Sequence, residues 1–286
     1  MTNIKKGVTV KIFATLIAVG LSFVLYANEN PYKELRTAAI SSVSGTPWSA
    51  ERQMKLVEKA NALLPSLNDG SKRLAYPILE NDLKEIYAEQ KTIPFFAYSS
   101  MIDKSAGAVK AISSEGAATQ NLAIAFGIQR TFNRQLPSST VEGGYGTLRR
   151  PNDVAILNVF EKEDAVINGV IFELSPADLK ILSKREVGYE LIPVLAMKWD
   201  NALNEEGEPE IFVAYTFLAP DMSINMDAYT SEYVNPIPGY VNYLQTGLNA
   251  QGSDFKAMWW ATTFLADKKT PVRELPYNEI DLKAAH

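Results

Sequence analysis

The stretch INGVIFELSPADLKILSKREVGYELIPV (residues 167–194) passes from an apolar run through a capped helix to a second apolar run within a single unit. Its first part belongs to AVINGVIFEL (165–174), which predicts a buried strand. Ser175 then offers an N-cap, with Pro176 at the first helical position and Asp178 three residues after the cap, an acidic variant of the capping box. That helix is expected to run through Leu179 and Leu182 to about Lys184, and YELIPVLAMKW (189–199) predicts the next strand. Between helix and strand stands one acid, Glu186. A negative charge at a helix C-terminus opposes the macrodipole by tenths of a kcal/mol up to about 1 kcal/mol. Leu182 and Val187 flank it, and the strand from Leu191 to Met197 leaves just beyond. Burial in such a seam raises a carboxyl pKa, which suits a group that must take and return a proton. The plainer alternative is a solvated helix end with Glu186 paired to Lys184 or Arg185.

Working outward, IPFFAY (93–98), NLAIAFGIQRTF (121–132) and DVAILNV (153–159) predict further strands, the last separated from 165–174 by a polar turn. EIFVAYTFLA (210–219) predicts another, joined to 189–199 by the acidic turn DNALNEEGEP. Helices are expected over Pro238–Ala250 and in SDFKAMWWATTFLADKK, capped by Ser253, with Phe255, Met258, Trp259 and Thr262 on one side. Two helices precede the strands. One starts at Ser49 and carries Leu56, Ala60, Leu63 and Leu64; the other spans about Pro77–Gln90 and carries Ile78, Leu79, Leu83, Ile86 and Tyr87. The order makes an α+β fold and not a series of βαβ units.

Composition removes whole classes of function. The chain has 286 residues, no cysteine and one histidine, His286 at the end, so disulfides, thiolate metal sites, Cys nucleophiles and a Ser-His-Asp triad are all excluded. Acid–base chemistry falls to carboxylates, Tyr or Lys. The formal charge of −5 becomes −8 without the three lysines of the first 27 residues, and no basic stripe runs between aromatics, so nucleic-acid binding is not expected. Those 27 residues hold Lys5, Lys6 and Lys11, then an apolar run from Ile12 to Ala27, the pattern of a secretory signal. The run is shorter than the roughly 20 residues of a spanning helix, which favours cleavage. An uncleaved signal-anchor is the alternative; either way the folded part is expected outside the cytoplasm, periplasmic or extracellular, with any membrane contact made through this segment.

The remaining candidates are local. YSSM (98–101) ends the first strand in a turn whose amides and hydroxyls could receive an anion. Arg130, Arg134, Arg149 and Arg150 could attract an anionic substrate, though such charges more often cap solvated loops. GGYG (143–146) lacks the Lys-Ser/Thr of a phosphate loop, and the adjacent Trp259 and Trp260 point about 100° apart on a helix, which suits core packing.

These parts in this order resemble the γ-glutamylcyclotransferase-like family. The likeness lies in a V-x-G-v-l-y-x-L strand (Val166 or Ile167, Gly169, Leu174), a short helix from Ser175, then Glu186, Tyr189 and Val194. FFAYSSM (95–101) stands where the family has a strand ending in a Y-G-S-N or Y-G-T-L loop, and residues 238–267 are similar to its closing helices. The resemblance covers about residues 93–270. It implies a mixed-sheet barrel with flanking helices over 93–286, behind a linker and helical extension over 28–92 and the export segment over 1–27. It further implies cleavage of a small γ-glutamyl compound by attack of its own α-amine on its γ-carbonyl, releasing 5-oxoproline, with no metal or cofactor. Glu186 would be the general acid/base; Tyr98, Ser99, Ser100, Met101 and Tyr189 would bind substrate. Two positions depart from the pattern: Ser99 replaces a Gly, a liability if the backbone there needs positive φ, and Met101 replaces an Asn. The competing reading is an exported small-ligand-binding or structural protein on the same fold.

Overall fold

The structure, a computed structural model, describes residues 78–146, 150–199, 211–220 and 230–272. Residues 1–27, expected to direct export, the linker expected after them and the helix expected from Ser49 lie outside the described residues. In chain order the elements are α1 (Glu80–Glu89), β1 (Ile93–Ala97), a 3-10 turn (Ser100–Ile102), α2 (Gly107–Ala111), α3 (Ser114–Ala118), β2 (Asn121–Gln135) and α4 (Ser138–Gly144). β3 (Ala155–Leu174), α5 (Pro176–Arg185), β4 (Glu190–Lys198), β5 (Ile211–Leu218), α6 (Pro238–Ala250), α7 (Ser253–Ala261) and β6 (Thr263–Leu265) follow. No helix among the described residues is long and apolar enough to cross a membrane.

The sheet order is β3-β1-β5-β4-β2-β6, and β3 also pairs with β2, which closes five strands into a barrel. β1 and β5 run parallel; every other pairing in the ring is antiparallel. This is the α+β class expected, a mixed-sheet barrel with flanking helices. Closure leaves few edges, and the strands are buried along most of their length, on both faces, with Phe96, Phe172 and Ile124 among the fully buried side chains. Burying each such side chain stabilises the fold by roughly 1.5–3 kcal/mol. Pro193 sits in β4 where β5 pairs it but β2 does not, since β2 partners begin at Leu195; its missing N–H costs no ladder bond.

Gly169 explains one of the signature positions. A Cβ there would lie 2.5 Å from the Ala97 carbonyl and 2.6 Å from Phe96 Cζ, so only glycine lets β1 and β3 approach. Neighbouring Asn168 donates to the Phe255 carbonyl at 2.7 Å and ties α7 to the barrel. Asn158 donates to and accepts from the backbone of Ala219 (2.9 and 2.8 Å), which fixes the chain as it leaves β5. These buried amides are satisfied, so they add specificity without an orphaned polar group.

Several expectations are corrected. The two strands predicted over 153–159 and 165–174 are one, β3. Its register with β2 steps from Phe126↔Val166 to Ile128↔Glu161, so residues 162–165 lie opposite the single Gly127, and a bulge bends the strand where the polar sequence suggested a turn. Helix α1 begins at Glu80, later than Pro77; the Leu79 amide donates to Asp82 at 2.7 Å, and Ile78 donates to the Leu191 carbonyl at 2.8 Å, which docks the helix on β4. Ser253 is the first helical residue of α7 and Gly252 its N-cap, while TTFL is not helical: Thr263–Leu265 pairs in parallel with Arg130–Phe132. β-branched and aromatic side chains suit that edge of β2.

The cap of α5 also differs in its second half. Ser175 Oγ accepts from the Asp178 amide as expected, but the Asp178 carboxylate turns to the N-cap of α3, accepting from Ser113 N (2.7 Å) and Oγ (2.9 Å) as well as from Ser175 Oγ (2.8 Å). Desolvation acts to raise its pKa, and the Ser113 and Ser175 hydrogen bonds outweigh it and hold the carboxyl below its ordinary value. One acid thus joins two helix starts.

Candidate active site

A cavity of about 740 Å³ opens at the end of the barrel where β1 and β5 finish. The end of α5, the start of α6 and the chain around α2 and α4 complete its wall. Such a volume suits a small molecule. Its lining brings together all six residues singled out from the sequence: Tyr98, Ser99, Ser100, Met101, Glu186 and Tyr189.

Glu186 arrives there because α5 stops at it. Its amide still donates to the Leu182 carbonyl (3.0 Å), but its backbone at φ −92°, ψ 53° leaves the helix. Gly188 completes the turn at φ +79°, a conformation glycine adopts without cost; a Cβ there would also meet Arg134 Nη2 at 2.7 Å. The Tyr189 amide returns to the Glu186 carbonyl at 3.1 Å, and β4 begins. Glu186 keeps partial surface, yet that surface faces the cavity. Desolvation by the surrounding protein pushes its carboxyl above the ordinary 4.5, offset only in part by the Arg185 and Arg134 guanidiniums. Among the described residues no hydrogen bond or ion pair engages that carboxylate. The solvated, paired helix end that the sequence also allowed is not what forms.

On the opposite wall the turn after β1 is a 3-10 helix, with Ile102 and Asp103 amides donating to the Ser99 and Ser100 carbonyls. Ser99 has φ −127°, not the positive φ that would call for glycine. Met101 is buried and presents an apolar surface, not a polar contact; Gln120 Nε2 donates to its carbonyl at 2.8 Å. Tyr98 donates its hydroxyl to the Phe217 carbonyl at 2.9 Å, and Tyr189 to the Leu157 carbonyl at 3.2 Å. Burial raises the pKa of both phenols, so each remains a neutral donor.

Arg130 and Arg134 are neither solvated loop ends nor lining residues: both are buried inside β2. Arg130 donates to the Asn168 carbonyl and to Thr263 Oγ1, and its guanidinium lies 4.7 Å from the Trp259 ring centroid. Burial pushes its pKa well down. Trp259 in turn reaches the Tyr98 carbonyl with its indole N–H at 3.4 Å. Arg134 donates to the Val187 carbonyl at 2.8 Å and sits 4.9 Å from the Tyr189 ring centroid. Both arginines therefore brace the two halves of the site from behind. Arg150 is exposed and does not line the cavity; Arg149 lies outside the described residues.

The chain is similar in structure to a γ-glutamyl cyclotransferase. That match has 14% sequence identity and a TM-score of 0.36, and covers 56% of this chain and 80% of the other. An uncharacterized protein from Homo sapiens matches at 16% identity and a TM-score of 0.35, over 57% of this chain and 82% of its own. YkqA from Bacillus subtilis matches at 17% identity and a TM-score of 0.38, over 58% of this chain and 52% of its own. No protein-family model matches the chain, and no curated protein matches it in sequence. The barrel and the cavity rest on the strand pairing and side-chain geometry described above.

Among the lining residues that sequence reasoning did not assign to the site are Tyr145, Arg185, Tyr240 and Tyr243. Tyr240 is buried, which raises the pKa of its phenol, and its ring lies 5.3 Å from that of Tyr145. Tyr240 and Tyr243 stand three apart on α6, the spacing that puts both on one face, which was the available signal. Tyr145, in GGYG, gave none. Among the described residues no group of three or more His, Asp or Glu side chains converges.

Proposed function

We propose that the protein is a γ-glutamylcyclotransferase-like enzyme, with Glu186 as its general acid/base. One observation carries the reading: a desolvated, unengaged carboxyl and the 98–101 turn, far apart in sequence, face a single cavity of small-molecule size. In the proposed reaction the substrate folds so that its α-nitrogen meets its own γ-carbonyl, and proximity comes from the substrate itself. A new bond forms between that nitrogen and the γ-carbon, and the bond from the γ-carbon to the departing nitrogen breaks. The two protons shed by the attacking nitrogen are the two gained by the departing one, and Glu186 carries them across. The products are 5-oxoproline and a free amine or amino acid.

The turn's amides and the Ser99 and Ser100 hydroxyls suit the substrate carboxylate or the oxyanion that forms at the γ-carbonyl. The neutral phenols supply uncharged walls, so the charged ammonium would find Glu186 as its partner. We also propose export, on the basic and then apolar N-terminus.

The test is a panel of γ-glutamyl amino acids, peptides and amines, incubated with purified protein and assayed for 5-oxoproline. Product from at least one compound is expected. Ligand-induced thermal stabilisation with no product from any of them would replace the enzyme by a non-catalytic ligand-binding protein.

A further inference from the structure

Among the described residues the cavity wall carries two formal charges, and they are sequence neighbours: Glu186 and Arg185. Arg185 ends α5 and keeps its side chain exposed at the rim, where its Nη2 would lie 3.6 Å from a Cβ on Gly107 at the start of α2. Its charge is felt by Glu186, Tyr145 and Tyr243. No ion pair among the described residues engages it. Its guanidinium is thus placed differently from those of Arg130 and Arg134, which are held against carbonyls and rings in the barrel. A planar fork of N–H donors at the rim of an otherwise uncharged cavity is suited to a carboxylate.

We propose that Arg185 receives a carboxylate on the departing half of the substrate, so that the protein prefers γ-glutamyl amino acids and peptides over γ-glutamyl amines. This rests on the reading above. The glutamyl half already has partners for both of its charges, Glu186 for the ammonium and the 98–101 turn for the carboxylate. Arg185 stands farther out, where the group beyond the γ-carbonyl points as it leaves. The bonds made and broken are those of the proposed reaction; Arg185 selects among leaving groups and takes no proton.

The experiment compares γ-glutamylalanine with γ-glutamylalaninamide, which differ by one charge at nearly equal size. Wild type is expected to favour the acid by roughly tenfold or more in kcat/KM, chiefly through KM, as a charge-assisted contact at a partly exposed rim allows. R185Q is expected to bring the ratio toward one, and R185K to keep part of it. Equal handling of the two compounds by wild type would overturn the proposal. So would an equal loss on both in R185Q, which would place Arg185 on the shared glutamyl half. If no compound of the wider γ-glutamyl panel is turned over, the enzyme reading fails on its own, and calorimetry of wild type with this pair decides the second question. A preference for the acid that R185Q abolishes sustains the anion site; equal binding, or none, removes it.

Discussion

Arg134, on β2, donates to the carbonyl of Val187 at 2.8 Å across 53 residues of chain. Its guanidinium also covers the ring of Tyr189 at 4.9 Å. The turn that carries Glu186 is therefore held from inside the barrel, by a cation that never reaches the cavity.

Replacing Arg134 with Met keeps the apolar stem and removes both contacts. We expect a loss of roughly 2–4 kcal/mol, from a charge-assisted hydrogen bond and a desolvated cation–π pair. Urea unfolding checks it. Lys at this position should recover little, because a point charge cannot reach carbonyl and ring together; full recovery by Lys would contradict the geometry.

Glu186 and stability should be linked through pH. Its folded pKa lies above the unfolded value, so the wild type holds the associated stability at low pH and loses it as pH rises from the ordinary 4.5 through the raised folded value. E186Q has no such group. Its stability relative to wild type should therefore climb across that window and then level off. Parallel curves for the two proteins would mean the carboxyl is solvated.

Asp178 should show the opposite sign. Its folded pKa is depressed, so its contribution is present above the ordinary 3.8 and fades as pH falls through the folded value. D178N should cost roughly 1–2 kcal/mol at neutral pH, through weakened bonds to Ser113 and Ser175, and should nearly match wild type in strong acid. A deficit that persists there would point to packing in place of charge.

Gly169→Ala should cost roughly 1–3 kcal/mol, since the new methyl meets the Ala97 carbonyl and the Phe96 ring at distances no relaxed contact shows. Thermal denaturation reads it out. A silent substitution would mean β1 and β3 are looser than their register implies.

Most of the barrel was legible in the chain because its strands are apolar runs of strand length and α5 carries its own start signals in Ser175 and Pro176. Glu186 was legible for a local reason as well, as a charge at the seam of two apolar elements, though of its two apolar flanks only Leu182 is buried and Val187 is exposed. What failed was non-local. The polar residues 161–164 looked like a turn, and only their partner strand shows that a bulge absorbs them. Arg130 and Arg134 carry nothing in their own sequence to show that carbonyls, hydroxyls and aromatic rings from distant elements would satisfy them inside the barrel. Tyr145 and Tyr240 meet only because α4 and α6 close over the same opening, a contact that no single segment encodes. Ser99 stands where the pattern has glycine, and only the turn shows that its φ is negative and does not call for one.

The most direct trial is 5-oxoproline release by E186Q, measured against wild type on the best γ-glutamyl substrate, with circular dichroism showing both proteins folded. A fall of roughly 10²-fold or more is expected, the scale of a lost general acid/base. Turnover equal to wild type would contradict the role assigned to Glu186.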